Sequence, residues 1–265
     1  PVNLGGSNII PKATGALPIL NTVSGGKVAT VGVRTDSNYS TCVLALPLAG
    51  LGRTDVSSLV NSGTSSKTVT LSGVDFTPYT SLYSTSAALL AAGDYMSVPG
   101  ADLAFGTGDF TIEFWLNYTS SGSNNPILDF RGGATNGHIL RQTAATTFEW
   151  RFASSAIGSG FTSGRQNEWN HYAIVRNSGT TKIYVNGVQA YSEPDSNNAS
   201  STGTKYFNAN DDDQSVGVTG YWSDIRIYKA LAKYTSDFIP ASINPDILPE
   251  TPSGVAYGSE LTQAT

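Results

Sequence analysis

The chain has 265 residues, 13% of them charged, and a formal net charge of −5, a size that suits one large β domain or two smaller ones. Ser, Thr, Asn and Gly are abundant and long Leu/Ala/Glu/Lys stretches are missing, which points to an all-β fold rich in turns. No cluster of Lys or Arg stands out, so nucleic acid and anionic membrane surfaces are excluded as partners, and the single cysteine, Cys42, excludes an intramolecular disulfide.

The first forty residues alternate short apolar pieces (8–10, 17–20 and 28–33) with Gly and Pro breaks and read as an extended docking arm. Their start, "PVNLGGSNII", lacks the charged and apolar pattern of a secretory leader, and no run approaches the roughly 20 apolar residues of a membrane span, so folding in a cytoplasm is expected. Residues 41–48 form the first strand and make Cys42 a buried free thiol. A second strand is expected over 67–71. "STSAALLAAGDY", 84–95, has the Ala and Leu of a short helix stopped by Gly93, although in so β-rich a chain it also fits a strand closed by a "GD" turn.

"GDFTIEFWLNY", 108–118, is the most informative strand. Parity puts Phe110, Ile112, Phe114 and Leu116 on one side and Thr111, Glu113 and Trp115 on the other, so one side is core while the second carries a carboxylate beside an indole. Further strands are expected over 127–130, 138–141, 147–153, 169–176, 181–185 and 223–228. The clearest hairpin is "WNHYAIVRNSGTTKIYVNGVQ", with Asn177, Ser178 and Gly179 in its loop and "VNG" at the next turn. Residues 241–265, with Pro245, Pro249 and Pro252, follow as an extended tail pinned by Ile243, Ile247 and Leu248.

In order, "GDYMSVPGADLAFGTGDFTIEFWLNY", "EWNHYAIVRNSGTTKIYVNGVQAYS" and "GYWSDIRIYKALAKYTSDFIP" resemble the concanavalin A-like lectin/glucanase superfamily, in its laminin G-like jelly-roll branch. The match rests on 109–115, Trp169 to His171, 174–176, 184–187 and 224–228. Its ending, 228–240, is similar to a variant found in bacteriophage virion proteins, including those of marine phages. The resemblance implies a two-sheet antiparallel jelly-roll sandwich over 41–240, flanked by the arms 1–40 and 241–265. It also implies Trp115 on the concave surface or under a loop. The fold alone does not decide among lectin, glycosidase, adhesion module and scaffold.

A glycosidase needs two carboxylates roughly 5 to 10 Å apart, and glucanases of this superfamily set them on one strand as E-x-D-x-E. Here Thr111 and Trp115 stand where the partners of Glu113 would be, so no enzymatic activity is expected, and Glu113 reads as a carboxylate paired with Arg or with backbone donors at a strand edge. Laminin G-like domains often hold calcium at the rim. "NANDDDQS", 208–215, is either a solvated acidic loop or a calcium site, with Asp211 and Asp213 or Asp224 as ligands; no cofactor is required. His138 and His171 lack companions at ligand spacing and read as structural.

Neutral glycans need an aromatic platform with polar neighbours. Candidates are Trp150, Phe161, Tyr206, Phe207, Tyr221 and Trp222, with Asn208, Asn210 and Asp211 nearby. The expectation is a non-enzymatic virion surface protein, a capsid decoration or fibre component, folded in the host cytoplasm and displaying its jelly roll outward. Its partners would be sibling subunits, in a trimer or another ring, the major capsid protein or tail, and cell-surface polysaccharide. A secreted bacterial carbohydrate-binding or adhesion module and a degenerate glycoside hydrolase are the alternatives.

Overall fold

The computed structural model describes residues 38–46, 48, 67–77, 87–120, 122–133, 135–212, 214 and 216–240, with the backbone of 255–256. Among the described residues seventeen strands run in chain order: β1 (Cys42–Leu46), β2 (Thr70–Ser72), β3 (Asp75–Thr77), β4 (Ala87–Leu90), β5 (Tyr95–Val98), β6 (Phe110–Tyr118), β7 (Asn125–Asp129), β8 (His138–Ala144), β9 (Thr147–Phe152), β10 (Ser155–Thr162), β11 (Asn170–Asn177), β12 (Thr180–Val185), β13 (Val188–Pro194), β14 (Lys205–Phe207), β15 (Gly220–Lys229), β16 (Phe238–Ile239) and β17 (Val255–Ala256). Sheet I has the order β13-β12-β11-β6-β15-β4-β3, with β1 also on β15; sheet II has the order β10-β9-β8-β7-β14-β5-β2. Every pairing is antiparallel, and the sheets stack into the all-β jelly-roll sandwich.

The strand expected from the alternation at 110–118 spans those residues and lies centrally, between β11 and β15. The Ala-Leu stretch is a strand over its described part, because β4 finds partners on both sides, β3 and β15, and the Leu90 and Ala88 side chains are buried in the core. Two hairpins obey local turn chemistry. Ser178 and Gly179 between β11 and β12 have φ of 48° and 77°, and Asn186 and Gly187 between β12 and β13 have 53° and 80°, the positive pair that two-residue turns require. Gly187 is doubly constrained, since a Cβ there would meet the Phe238 carbonyl oxygen at 1.9 Å.

Between the sheets, Phe114 stacks on Trp222 and on Tyr172, both at 5.2 Å, and Tyr172 stacks on Phe148 at 5.4 Å, an aromatic ladder from one sheet to the other. The rest of this core is mostly Leu, Ile, Val and Phe, with Ala88, Met96, Tyr118, Trp150 and Ala199. Cys42 is buried and free. The arms 1–37 and 241–254 and the pinning residues Ile243, Ile247 and Leu248 lie outside the described residues; the backbone of β17 pairs with β16.

The outward face of sheet I is not open. Residues 230–238 cross it as a strap, placed by Ala230 N–H donating to Asp109 O, Lys233 N–H to Thr111 Oγ1, and Thr111 Oγ1 to Leu231 O, each at 2.9 Å. Under the strap Glu113 is 3% exposed and accepts from Lys233 Nζ and from the Tyr234 hydroxyl, both at 2.6 Å, with His171 Nε2 at 3.6 Å. Tyr234 stacks on Phe238 at 3.5 Å, and Phe238 N–H donates to Gly187 O at 2.9 Å. Trp115 is 8% exposed, edge-on to His171 at 5.1 Å, and so lies among groups covered by the strap. Glu113 differs from expectation in its place, on a central strand and not an edge, and its partners include a lysine and a tyrosine brought in from about 120 residues downstream, with Arg226 opposite it on β15.

Burial opposes ionisation of Glu113, but Lys233, His171 and Arg226 outweigh it and hold the carboxyl well below the usual range. Its folded pKa is depressed, so the unfolded chain binds more protons below the ordinary carboxylate value; the stabilisation is complete above about pH 5 and is lost as pH falls through the carboxylate range. Lys233→Met should cost about 3 kcal/mol, measured by urea unfolding at pH 7, because it strands a buried carboxylate. Glu113→Gln should flatten the acid limb of the stability profile between about pH 5 and 3.

Candidate functional site

The strap has no counterpart among the described residues on the outward face of sheet II, where Tyr206, Arg141 and Arg151 are partly exposed. Cross-strand partners share a face, so the register assigns each row. Met96, Phe207, Leu128, Leu140 and Trp150 pair in succession and point into the core. The next row, Ser97, Tyr206, Asp129, Ile139 and Arg151, points outward, with Tyr95 in the adjoining row of β5 and Arg141 and Glu149 in the adjoining row of β8 and β9.

The centre of this face is an arginine set among acids. Asp129, whose side chain is 1% exposed, accepts from Arg131 Nε at 3.0 and 3.1 Å, from Nη2 at 2.6 Å, and from the backbone N–H groups of Arg131 and Asp211 at 3.0 Å each. Arg131 Nη2 also donates to Asn210 Oδ1 at 2.7 Å and approaches Asp212 at 3.4 Å. The Asp129 partnership pushes the guanidinium pKa up. Asp211 accepts from Gly133 N–H. Beside this network stand two half-buried tyrosines, Tyr206 and Tyr95, edge to face at 5.6 Å; burial, followed by the charge of Asp211, raises the Tyr206 hydroxyl pKa.

Several candidates from the sequence lie elsewhere. Trp150 and Trp222 are 1% and 0% exposed, and Phe161 and Phe207 are buried as well, because period-two alternation turns each toward the core, so none presents a ring to a ligand. Asn208 is buried and structural: its amide donates to Ala91 O and Asp94 O, and its Oδ1 accepts from Val218 N–H. Tyr221 is half-buried in β15 of sheet I, in register with Asn117 and Leu89, and so stands on the opposite side of the sandwich from Tyr206. Tyr206, Asn210 and Asp211 do come together. Tyr95, Asp129, Arg131, Arg141, Glu149 and Arg151 join them, and the alternation of "TFEWRF" (147–152) carried the signal for the last two.

The donor set does not fit calcium. Asp211 belongs to the rim of sheet II, while Asp224 lies in β15 bound to Arg226 at 2.8 Å; Asp213 is outside the described residues. The oxygens of Asp129 and Asn210 are turned onto a guanidinium, which supplies the positive charge a hard cation would bring. Among the described residues no three His, Cys, Asp or Glu side chains group as metal ligands.

Hydrolytic geometry is also missing from what is described. Asp129 and Glu149 sit two strands and two residues apart, roughly 12 Å between backbone positions, and each is bound by arginine. His138 Nε2 and Thr181 Oγ1 both contact Asp195 Oδ2, at 3.0 and 2.7 Å, so the acid lies between them and no base faces the hydroxyl. Burial lowers the His138 pKa, and the ring stacks on Trp150 at 4.7 Å, a structural role.

A laminin G family model, described as concanavalin A-like lectin/glucanases superfamily, matches residues 90–233. No curated protein matches the sequence. Among solved structures the chain is similar to botulinum neurotoxin type C, in a study of cell entry dependent on two ganglioside molecules (TM-score 0.54, 17% identity, 73% of this chain and 49% of that one). It is also similar to the botulinum neurotoxin serotype D binding domain (0.54, 17%, 73% and 49%) and to the type DC binding domain in complex with rat synaptotagmin II (0.55, 18%, 74% and 50%). At these identities the likeness is one of fold, and this chain spans about half the length of each. The family model covers more than half of the sequence, β6, β11 and β15 that carry the resemblance are neighbours in one sheet, and the chain belongs to the concanavalin A-like lectin/glucanase superfamily.

Proposed function

We propose that this chain is a non-enzymatic glycan-binding module displayed on the outside of a bacteriophage virion, as a capsid decoration or fibre component. The observation that carries the binding reading is the asymmetry of the sandwich: one outward face is sealed by the strap, and the other sets Tyr206 and Tyr95 beside Asn210, Asp211 and Arg131. Half-buried tyrosine rings offer an apolar platform with a polar edge, and the adjacent amide and guanidinium supply hydroxyl partners, the combination that suits a sugar ring. The virion role rests on the ending 228–240, similar to phage virion proteins, which forms the last two residues of β15 and the strap. The arms 1–40 and 241–265 would dock the domain to sibling subunits and to capsid or tail.

The reading as a secreted bacterial adhesion module draws on the solved structures, which are of toxin binding domains, one described with two ganglioside molecules. Virion mass spectrometry separates the two, since the chain is expected in purified particles. Deleting residues 1–40 should abolish incorporation while the domain keeps its cooperative unfolding; normal incorporation would remove the docking role of the arm.

On a glycan array followed by calorimetry, Tyr206→Ala should weaken binding about tenfold, the loss of one stacked ring worth about 1.4 kcal/mol. Loss in Tyr221→Ala instead would move the site to sheet I. Calcium at millimolar concentration should leave the urea midpoint unchanged, because Arg131 already neutralises the rim acids; a raised midpoint would show a metal site.

A further inference from the structure

On β8 and β9 the outward face of sheet II carries more guanidinium than carboxylate. Arg141 Nε donates to Glu149 Oε2 at 2.6 Å, and Arg151 Nη1 donates to both Glu149 oxygens at 3.0 and 3.1 Å, so one acid serves two cations. A guanidinium has five N–H donors in a rigid fork. Both Nη groups of Arg141, and Nε and Nη2 of Arg151, therefore keep donors for another acceptor. The Glu149 side chain is 9% exposed, against 28% for Arg141 and 16% for Arg151, which puts the acid beneath and the cations at the surface. Around them the outward neighbours in register, Ile139, Pro126, Ala156 and Ser159, are uncharged. Arg131, the next cation, is already matched by Asp129 and Asp212. One positive charge is left over in a chain of net charge −5.

Register fixes how far this pair lies from the tyrosines. Tyr206, Asp129, Ile139 and Arg151 follow one another across β14, β7, β8 and β9, three strand spacings or about 14 Å. A short oligosaccharide of a few rings spans that distance.

We propose that the glycan bound on this face is acidic: a hexuronate-containing oligosaccharide lies across β14, β7, β8 and β9, one ring against Tyr206 and the carboxylate of another held by Arg141 and Arg151. The planar fork matches a planar carboxylate in a bidentate way that a neutral hydroxyl cannot reproduce. Glu149 holds both arginines before the ligand arrives, which lowers the ordering cost of binding. Selection comes from the local pair, since the net charge of the chain opposes anions at long range.

The inference rests on sheet II being the glycan face, and the experiment separates the two. The full chain is titrated with oligogalacturonate and oligoglucuronate, with methyl-esterified oligogalacturonate as the same sugar without charge, and with dextran sulfate. The uronates should bind at least tenfold more tightly than the ester. Arg141→Gln and Arg151→Gln should each lower uronate affinity about tenfold and ester affinity far less, with a retained cooperative urea transition showing that the variants fold; Tyr206→Ala should weaken both. Equal affinity for acid and ester, or neutral glycans bound on an array and neither uronate bound, overturns the acidic inference and leaves the glycan reading standing. Preference for dextran sulfate also overturns it, because the pair would then read charge and not carboxylate. Failure to bind any glycan overturns both.

Discussion

The arrangement of this molecule depends on one buried ion pair, between Glu113 of a central strand and Lys233 of the strap. A sheet in a sandwich has two faces, and the amino acids of β6 are buried on both. The inner face is covered by the second sheet. The outer face needs another cover, and a charged residue there is tolerable only with a partner that is delivered into the same dry place. Lys233 and Tyr234 deliver it, Phe238 closes beside them, and the face that holds alternating acids in related glucanases is here a second small core. The carboxylate fixes where the strap sits. It has no access to substrate.

That closure directs attention to sheet II. Its outward row is polar but nearly all of its charge is engaged: Asp129 with Arg131, Glu149 with Arg141 and Arg151. Such pairs add little net stability when partly exposed. Their effect is geometric, since a guanidinium gripped on one side presents its remaining donors in a fixed direction. The same principle accounts for the rim. Arg131, reaching from the turn after β7, meets the oxygens of Asp129 and, from "NANDDDQS", those of Asn210 and Asp212.

Most of the fold was legible because alternation of period two survives in the long central strands: "FTIEFWLNY" and "NHYAIVRN" read directly, and "SGTT" and "VNG" mark their turns. The strands that were missed lie at edges or are short. β10 (Ser155–Thr162) and β13 (Val188–Pro194) are mostly exposed and carry Gly, Ser, Gln and Glu, so there is no buried face to impose a pattern. The Ala-rich β4 misleads because intrinsic propensity is weak beside two strand partners. At the site, Trp150 is a candidate ring by residue type, but its neighbours argue otherwise: in "TFEWRF" the polar residues Thr147, Glu149 and Arg151 claim the outward parity and leave the indole inside. The partnership of Arg131 with Asn210, 79 residues away, has no local signature at all.

The two outward faces engage their acids differently. On sheet I the strap fills the space above Glu113. On sheet II Asp129 and Glu149 stand roughly 12 Å apart between backbone positions, and each is committed to arginine. A surface that pairs its carboxylates with guanidinium groups cannot also lend them as general acid and base, because the charged form is the one the arginines stabilise. Arg141 and Arg151 keep donors beyond those given to Glu149. The glycan proposed for this face would be held in register between those donors and the tyrosines at the other end.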